Sequence, residues 1–172
     1  MIYPQEYIRY LVHFHGDRDF FECHEILEEY WKSQEPRSDI WVALIQLAVG
    51  LYHHRRGNLV GAKKMIESHL NRLDPRDCGQ LGLDYQQLTE LVRDRLDEIA
   101  LERPYRELNL PLVDSELLAR CQAECKKRGF EWQGESSTDP ELVHRHSLRD
   151  RSDVIQAREM ERLKRQKARK ED

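Results

Sequence analysis

Within the run His24-Glu25-Ile26-Leu27-Glu28-Glu29-Tyr30-Trp31, an imidazole and a carboxylate stand four positions apart. A helix advances about 100° per residue, so His24, Glu28 and Trp31 fall on one stripe. Phe20, Phe21 and Leu27 extend that stripe, which predicts that it faces a core. A histidine and a glutamate on such a face raise the free energy unless something pairs with them. The spacing therefore predicts a polar site between helices.

Gln46 and His53 lie seven positions apart further on and share a face, with His54 about 100° round. Antiparallel packing of the two helices would bring that face to His24 and Glu28. His24, Glu28 and His53, completed by water, would suit zinc or another divalent ion. The string His-Glu-x-x-Glu lacks the second histidine of the zinc-protease motif, which excludes that enzyme class. It also lacks the Glu-x-x-His pairs of di-iron bundles. Without an ion, the same residues form a polar network that sets helix register, or hold a small organic or anionic ligand.

Acid–base work would fall to Glu25 or Glu28, since burial raises a carboxyl pKa and the imidazole could share its proton. No nucleophile sits at motif spacing, and Glu29 reads as a solvated charge. Trp31 and Trp41 read as core or as the wall of a pocket, and His13 and His15 as surface residues at a helix end. The cluster His53-His54-Arg55-Arg56 suits the negative end of a helix dipole, or an anion or phosphate site.

The elements that would position these groups are helical. Tyr7, Ile8, Leu11, Val12 and Phe14 mark a first helix after Pro4, stopped at Gly16. Asp17 or Asp19 caps a second to about Lys32, and Ser38 or Asp39 a third from Ile40 to Arg56. That third helix is apolar nearly all round and belongs in the middle of a bundle. Asn58 caps a fourth, Leu59 to Leu73, which Asp74-Pro75 closes. Asp84 caps a fifth to about Leu101, and Asp114 a sixth ending at Gly129. Leu108 to Val113 is at most extended, with prolines arguing against a sheet. Gly57-Asn58 followed by Ala62 and Ile66, with Gly50 before them, echoes a tetratricopeptide hairpin; Gly16-Asp17 with Phe21 is a fainter copy.

Composition bounds the whole. The chain of 172 residues is 39 % hydrophobic and 35 % charged, enough for one core plus an appendage. From Arg145 onward, ten Lys/Arg face six Asp/Glu. That local balance of +4, against a total of -4, leaves -8 for residues 1–144. An acidic body repels phosphate backbones, so only the basic tail, with Arg145 between His144 and His146, could attract nucleic acid. The longest uncharged run, Ile40 to His54, is too short to cross a membrane, and no signal layout opens the chain. Four cysteines without CxxC spacing, with Cys23 inside a helix, predict reduced thiols and a cytoplasmic location.

Two motifs then carry a resemblance. Phe14-His15-Gly16-Asp17 through the HExxExxW run to Trp31 resembles the opening of a small all-helical family of bacterial and archaeal proteins known as a domain of unknown function. Leu44-Ile45-Gln46-Leu47-Ala48-Val49, Tyr52-His53-His54, Gly57-Asn58 and Gly61-Ala62 match its second motif. The resemblance covers roughly residues 3 to 101 and implies an all-α bundle, with no activity attached.

These readings combine into an all-α bundle of five to six helices with tetratricopeptide-like hairpins over residues 1–130. A polar linker follows (131–152), then a charged C-terminal helix or tail (153–172). The leading functional expectation is a non-catalytic cytoplasmic binding or scaffold protein, with ligand-binding candidates His24, Glu25, Glu28, Trp31, Gln46 and His53. Two alternatives are a metal-dependent, hydrolytic enzyme built on the same cluster, and a module that holds a peptide of a partner protein. Homodimerisation through the flat faces of the later helices stays open.

Overall fold

Four side-chain carboxylates or amides start four helices by accepting backbone N–H groups of the following turn. Asp19 accepts from Glu22, Asn58 from Gly61, Asp84 from Gln87, and Asp114 from Glu116 and Leu117. The structure, a computed structural model, describes residues 2–144, 160 and 162–167. By contact, residues 1–138 form one unit and residues 139–172 a second.

In the first unit, α1 (Gln5–His15) follows Pro4, and α2 (Phe20–Ser33) begins at Asp19. Next come α3 (Asp39–Arg55), α4 (Leu59–Arg72), α5 (Pro75–Gln80), α6 (Tyr85–Ala100) and α7 (Ser115–Arg128). Gly129, at φ 74°, ends α7 in the left-handed conformation that glycine adopts without a Cβ penalty. Regular secondary structure among the described residues is all-α, as expected. One isolated antiparallel bridge, Leu83 to Leu112, is the most that the Leu108–Val113 stretch makes of a sheet.

The short α5 differs from the expectation that Asp74-Pro75 merely closes α4. Asp74 accepts N–H bonds from Arg76 and Asp77, and Pro75 occupies the first turn, where its missing N–H is no loss. The same dipeptide therefore both stops one helix and starts the next.

Helix α3 is buried along most of its circumference and packs between α2 and α4, as its all-round apolar composition predicts. Against α4 the approach is close: a Cβ on Gly50 would stand 2.5 Å from Ile66 Cγ1. Helix α1 packs on α2 and α7, while α6 packs on α4 and α5. Trp41 lies in the core against Tyr7 and Tyr30, so it fills the interior.

Residues 130–136, part of the stretch whose composition suggests a linker, are pinned to this body. Trp132 stacks near His15, Gln133 N–H donates to the His15 carbonyl at 2.8 Å, and the Gly134 carbonyl receives Arg18 Nε at 2.9 Å. In the second unit, α8 (Pro140–Val143) is capped by Asp139, and residues 162–167 are helical. Most of the basic tail, Arg145 and His146 included, lies outside the described residues; His144 is exposed.

Candidate functional site

His24 and Glu28 do meet, but not in a dry crevice. His24 Nε2 stands 2.6 Å from Glu28 Oε2, with side-chain exposures of 28 % and 36 %. Lys32 Nζ takes the other oxygen of Glu28 at 2.8 Å. Three residues at i, i+4 and i+8 thus form a ladder of charge along one half-exposed side of α2. The Lys32 ammonium and the imidazole hold the Glu28 carboxyl below its ordinary pKa. That is the opposite of the rise expected from burial, and the expectation of a core-facing pair is corrected. The stripe is split: its Phe20 and Leu27 are buried together with Cys23 and Ile26, while His24, Glu28 and Trp31 stay half-exposed.

His53 and Gln46, the other members of the expected site, lie on α3. His53 Nδ1 lies 3.4 Å from Asn58 Nδ2, and its Cδ2 would stand 3.1 Å from a Cβ on Gly61, so the ring belongs to the start of α4. Burial lowers its pKa. Among the described residues no group of three or more His, Cys, Asp or Glu side chains is placed to hold a metal ion. His24, Glu28 and His53 thus form no such group. Gln46 Oε1 and His24 Nδ1 are each buried without a hydrogen-bond partner. Trp31 is half-buried, with Arg37 Cζ 4.9 Å from its ring centre.

The remaining acids of the motif serve another face. Glu25 and Glu29, each one step round from the ladder, line a cleft of about 270 Å³ together with Glu6, Arg9, Glu22, Ile26, Tyr30 and Ser33. Burial, and then the charge of Glu6, push the Tyr30 phenol up. One helical run therefore feeds two surfaces.

His13 and His15 are corrected as well. His15 is 0 % exposed and His13 is buried, with Nδ1 of His13 3.1 Å from Asp17. Phe130 and Trp132, which follow α7, lie against these two rings and cover them.

A buried polar cluster that the sequence reading did not assemble lies where α3 ends. Arg18, 0 % exposed and at φ 59°, donates to the carbonyls of Phe14, Leu108 and Gly134 and to Asn109 Oδ1. Arg55 Nη1 donates to the Arg18 carbonyl at 2.7 Å and to Ser136 Oγ at 3.0 Å. Arg95 binds Glu98 and the Arg106 carbonyl. Tyr105 lies within cation–π reach of Arg55 and Arg95, takes the edge of His54, and donates to Glu107 at 2.6 Å. Ser136 donates to Glu107 through its N–H and its hydroxyl. Burial lowers the pKa of all three arginines and of His54. One signal was legible: Arg95 shares the apolar stripe of Leu88, Val92 and Ile99, where a charge needs a partner.

An all-helical body with a charge ladder, an acidic cleft and a buried arginine cluster defines a helical domain without an assembled metal centre among its described residues. The family described as Domain of unknown function (DUF309) matches residues 7–65, which span α1 to α4. The uncharacterized protein YpuF of Bacillus subtilis (strain 168) is similar along the whole chain. It is 45 % identical over 173 residues, covering 98 % of this chain and 99 % of the relative. The chain belongs to this family. No solved structure matches it, and no helix among the described residues is long and apolar enough to cross a membrane.

Proposed function

We propose that the protein is a non-catalytic helical binding module that takes a cationic segment of a partner protein in the α1–α2 cleft. The lining of that cleft carries the reading: Glu6, Glu22, Glu25 and Glu29 surround a single guanidinium, Arg9, with Ile26 and Tyr30 as its apolar part. Residues 1–144 bear a formal charge of -8, by difference from the chain total of -4, so the field outside the cleft adds to the field within it. Lys/Arg-rich segments approach such a surface faster and dock in register with its carboxylates.

The groups that catalysis would recruit are engaged elsewhere. His15 is bonded at both ring nitrogens, Glu28 is shared by Lys32 and His24, and burial pushes all four thiols up. Four free, buried thiols also suit a reducing compartment such as the cytoplasm.

A fluorescent Lys/Arg-rich peptide, titrated into the full-length protein, tests the reading. Binding should weaken steeply between low and physiological salt. The double substitution Glu25→Gln/Glu29→Gln should weaken it by about tenfold, whereas His24→Ala should leave it unchanged. Affinity indifferent to salt, or to the double substitution, would sink the proposal.

A further inference from the structure

Arg18, Arg55 and Arg95 are all drawn into the interior near Tyr105, yet their hydrogen-bond accounts differ. Every nitrogen of Arg18 has an acceptor. Arg95, 2 % exposed, lacks one at Nη1 alone. Arg55 lacks two: Nε and Nη2 are buried with no partner, while Nη1 serves both the Arg18 carbonyl and Ser136.

The missing pair is chemically specific. Nε–H and Nη2–H leave a guanidinium on the same side and run parallel, and that edge meets the two oxygens of a carboxylate in one plane. Arg55 cannot turn the edge away, because Cζ stacks 4.6 Å over Phe20 and Nη1 is tied twice. Buried charged donors left without acceptors destabilise a fold, so an arrangement that keeps two of them side by side calls for an occupant. Charge sets its valence. Arg18, Arg55 and Arg95, with Arg106 on the rim at 65 % side-chain exposure, stand against Asp19, Glu98 and Glu107, a surplus of one positive charge.

We propose that the Nε–Nη2 edge of Arg55, where α3 ends beside Phe20, Tyr105 and Ser136, is a binding site for a monovalent carboxylate. The carboxylate belongs either to a small organic acid or to the C-terminal end of a peptide. Both nitrogens are shut off from water, so the ligand enters by moving a neighbour. Ser136, whose hydroxyl joins Arg55 to Glu107, is the contact that gives way. The proposal is independent of the acidic cleft, which shares no lining residue with it and selects the opposite charge.

The test is a titration of the full-length protein with sodium acetate, sodium chloride and inorganic phosphate at fixed ionic strength. It follows the arginine Nε–Hε nuclear magnetic resonance signals and the melting temperature. The Arg55 signal should move saturably with acetate and not with chloride, and the melting temperature should rise. Arg55→Lys keeps the charge but loses the parallel pair, and should weaken acetate binding by about tenfold or more. Arg128→Lys, at the exposed end of α7, should behave as the parent. If Arg55→Lys does not fold, the titration of the parent protein decides alone. A peptide with a free C-terminus that competes where its amidated twin does not assigns the carboxylate to a protein end. Inertness of both, with acetate binding, assigns it to a small acid. A still Arg55 signal, an equal response in Arg55→Lys, or a response to phosphate alone overturns the proposal.

Discussion

His15 Nε2 accepts the backbone N–H of Leu110 at 2.9 Å across 95 positions of sequence, while its Nδ1 donates to the Leu11 carbonyl at 2.9 Å. Both ring nitrogens are thereby committed to one neutral tautomer. The ring ties the last turn of α1 to the extended segment before α7. A second histidine, His69 on α4, donates to the Ala43 carbonyl of α3 at 2.7 Å.

These two rings make stability depend on pH. Burial lowers His15 to about 3 and His69 to about 4, from an ordinary value of 6.5. The unfolded chain therefore binds more protons than the native one below 6.5. Their contribution is complete above pH 6.5 and is lost as pH falls from there toward 4 and then 3. Each should remove about 1.4 kcal/mol per pH unit in that window. Urea unfolding at pH 7.5, 6 and 5 measures the slope, which His69→Gln should make shallower.

The His24–Glu28 ladder should matter little to stability. Pairs this exposed contribute about 0–1 kcal/mol and are screened by salt. His24→Ala should lower stability by less than about 1 kcal/mol at low salt and less again at high salt. A loss of several kcal/mol in chemical denaturation would overturn that expectation.

Arg18 should matter a great deal. Removing it strands the carbonyls of Phe14, Leu108 and Gly134 and leaves Glu107 without a cation 3.5 Å away. Arg18→Met should cost on the order of 3–5 kcal/mol. In amide hydrogen exchange, residues 108–110 and 133–136 should lose protection before the centre of α3 does.

The α3–α4 crossing has a steric limit at Gly50. Gly50→Ala forces a methyl group against Ile66 and should cost about 1–3 kcal/mol through overpacking. Ile66→Ala, destabilising on its own by about 2–5 kcal/mol, should relieve that clash. The double substitution should then be milder than the sum of the two single ones, as a double-mutant cycle would show.

Much of the fold was legible because it is local. The caps Asp19, Asn58, Asp84 and Asp114, the stop at Gly129, and the apolar girth of α3 depend on near neighbours, and periodicity reads them directly. Even the omission of α5 was a local misreading, in which Asp74-Pro75 was weighed as a stop and not also as a cap. The resemblance to a helical family without an assigned activity was legible too, since motif spacing is a linear property.

The site was not legible in that way. Helical periodicity placed His24 and Glu28 on one stripe but did not say which side of α2 the neighbouring helices would cover. Burying Phe20, Cys23, Ile26 and Leu27 removes more apolar surface from water than burying His24 and Glu28 would, and so sets the rotation of α2. His53 was placed correctly on α3, where it meets Asn58, the cap of α4. Amphipathic patterning therefore determined that this chain is helical, where its helices start, and that its interior would hold stray ionisable groups. Which of those groups meet was decided by contacts between residues far apart in sequence, such as Arg18 with Gly134 and Arg55 with Ser136. The physical reason is that helix formation is a balance struck within a turn or two. The pairing of buried charges is settled only when separate elements close on one another and exclude water.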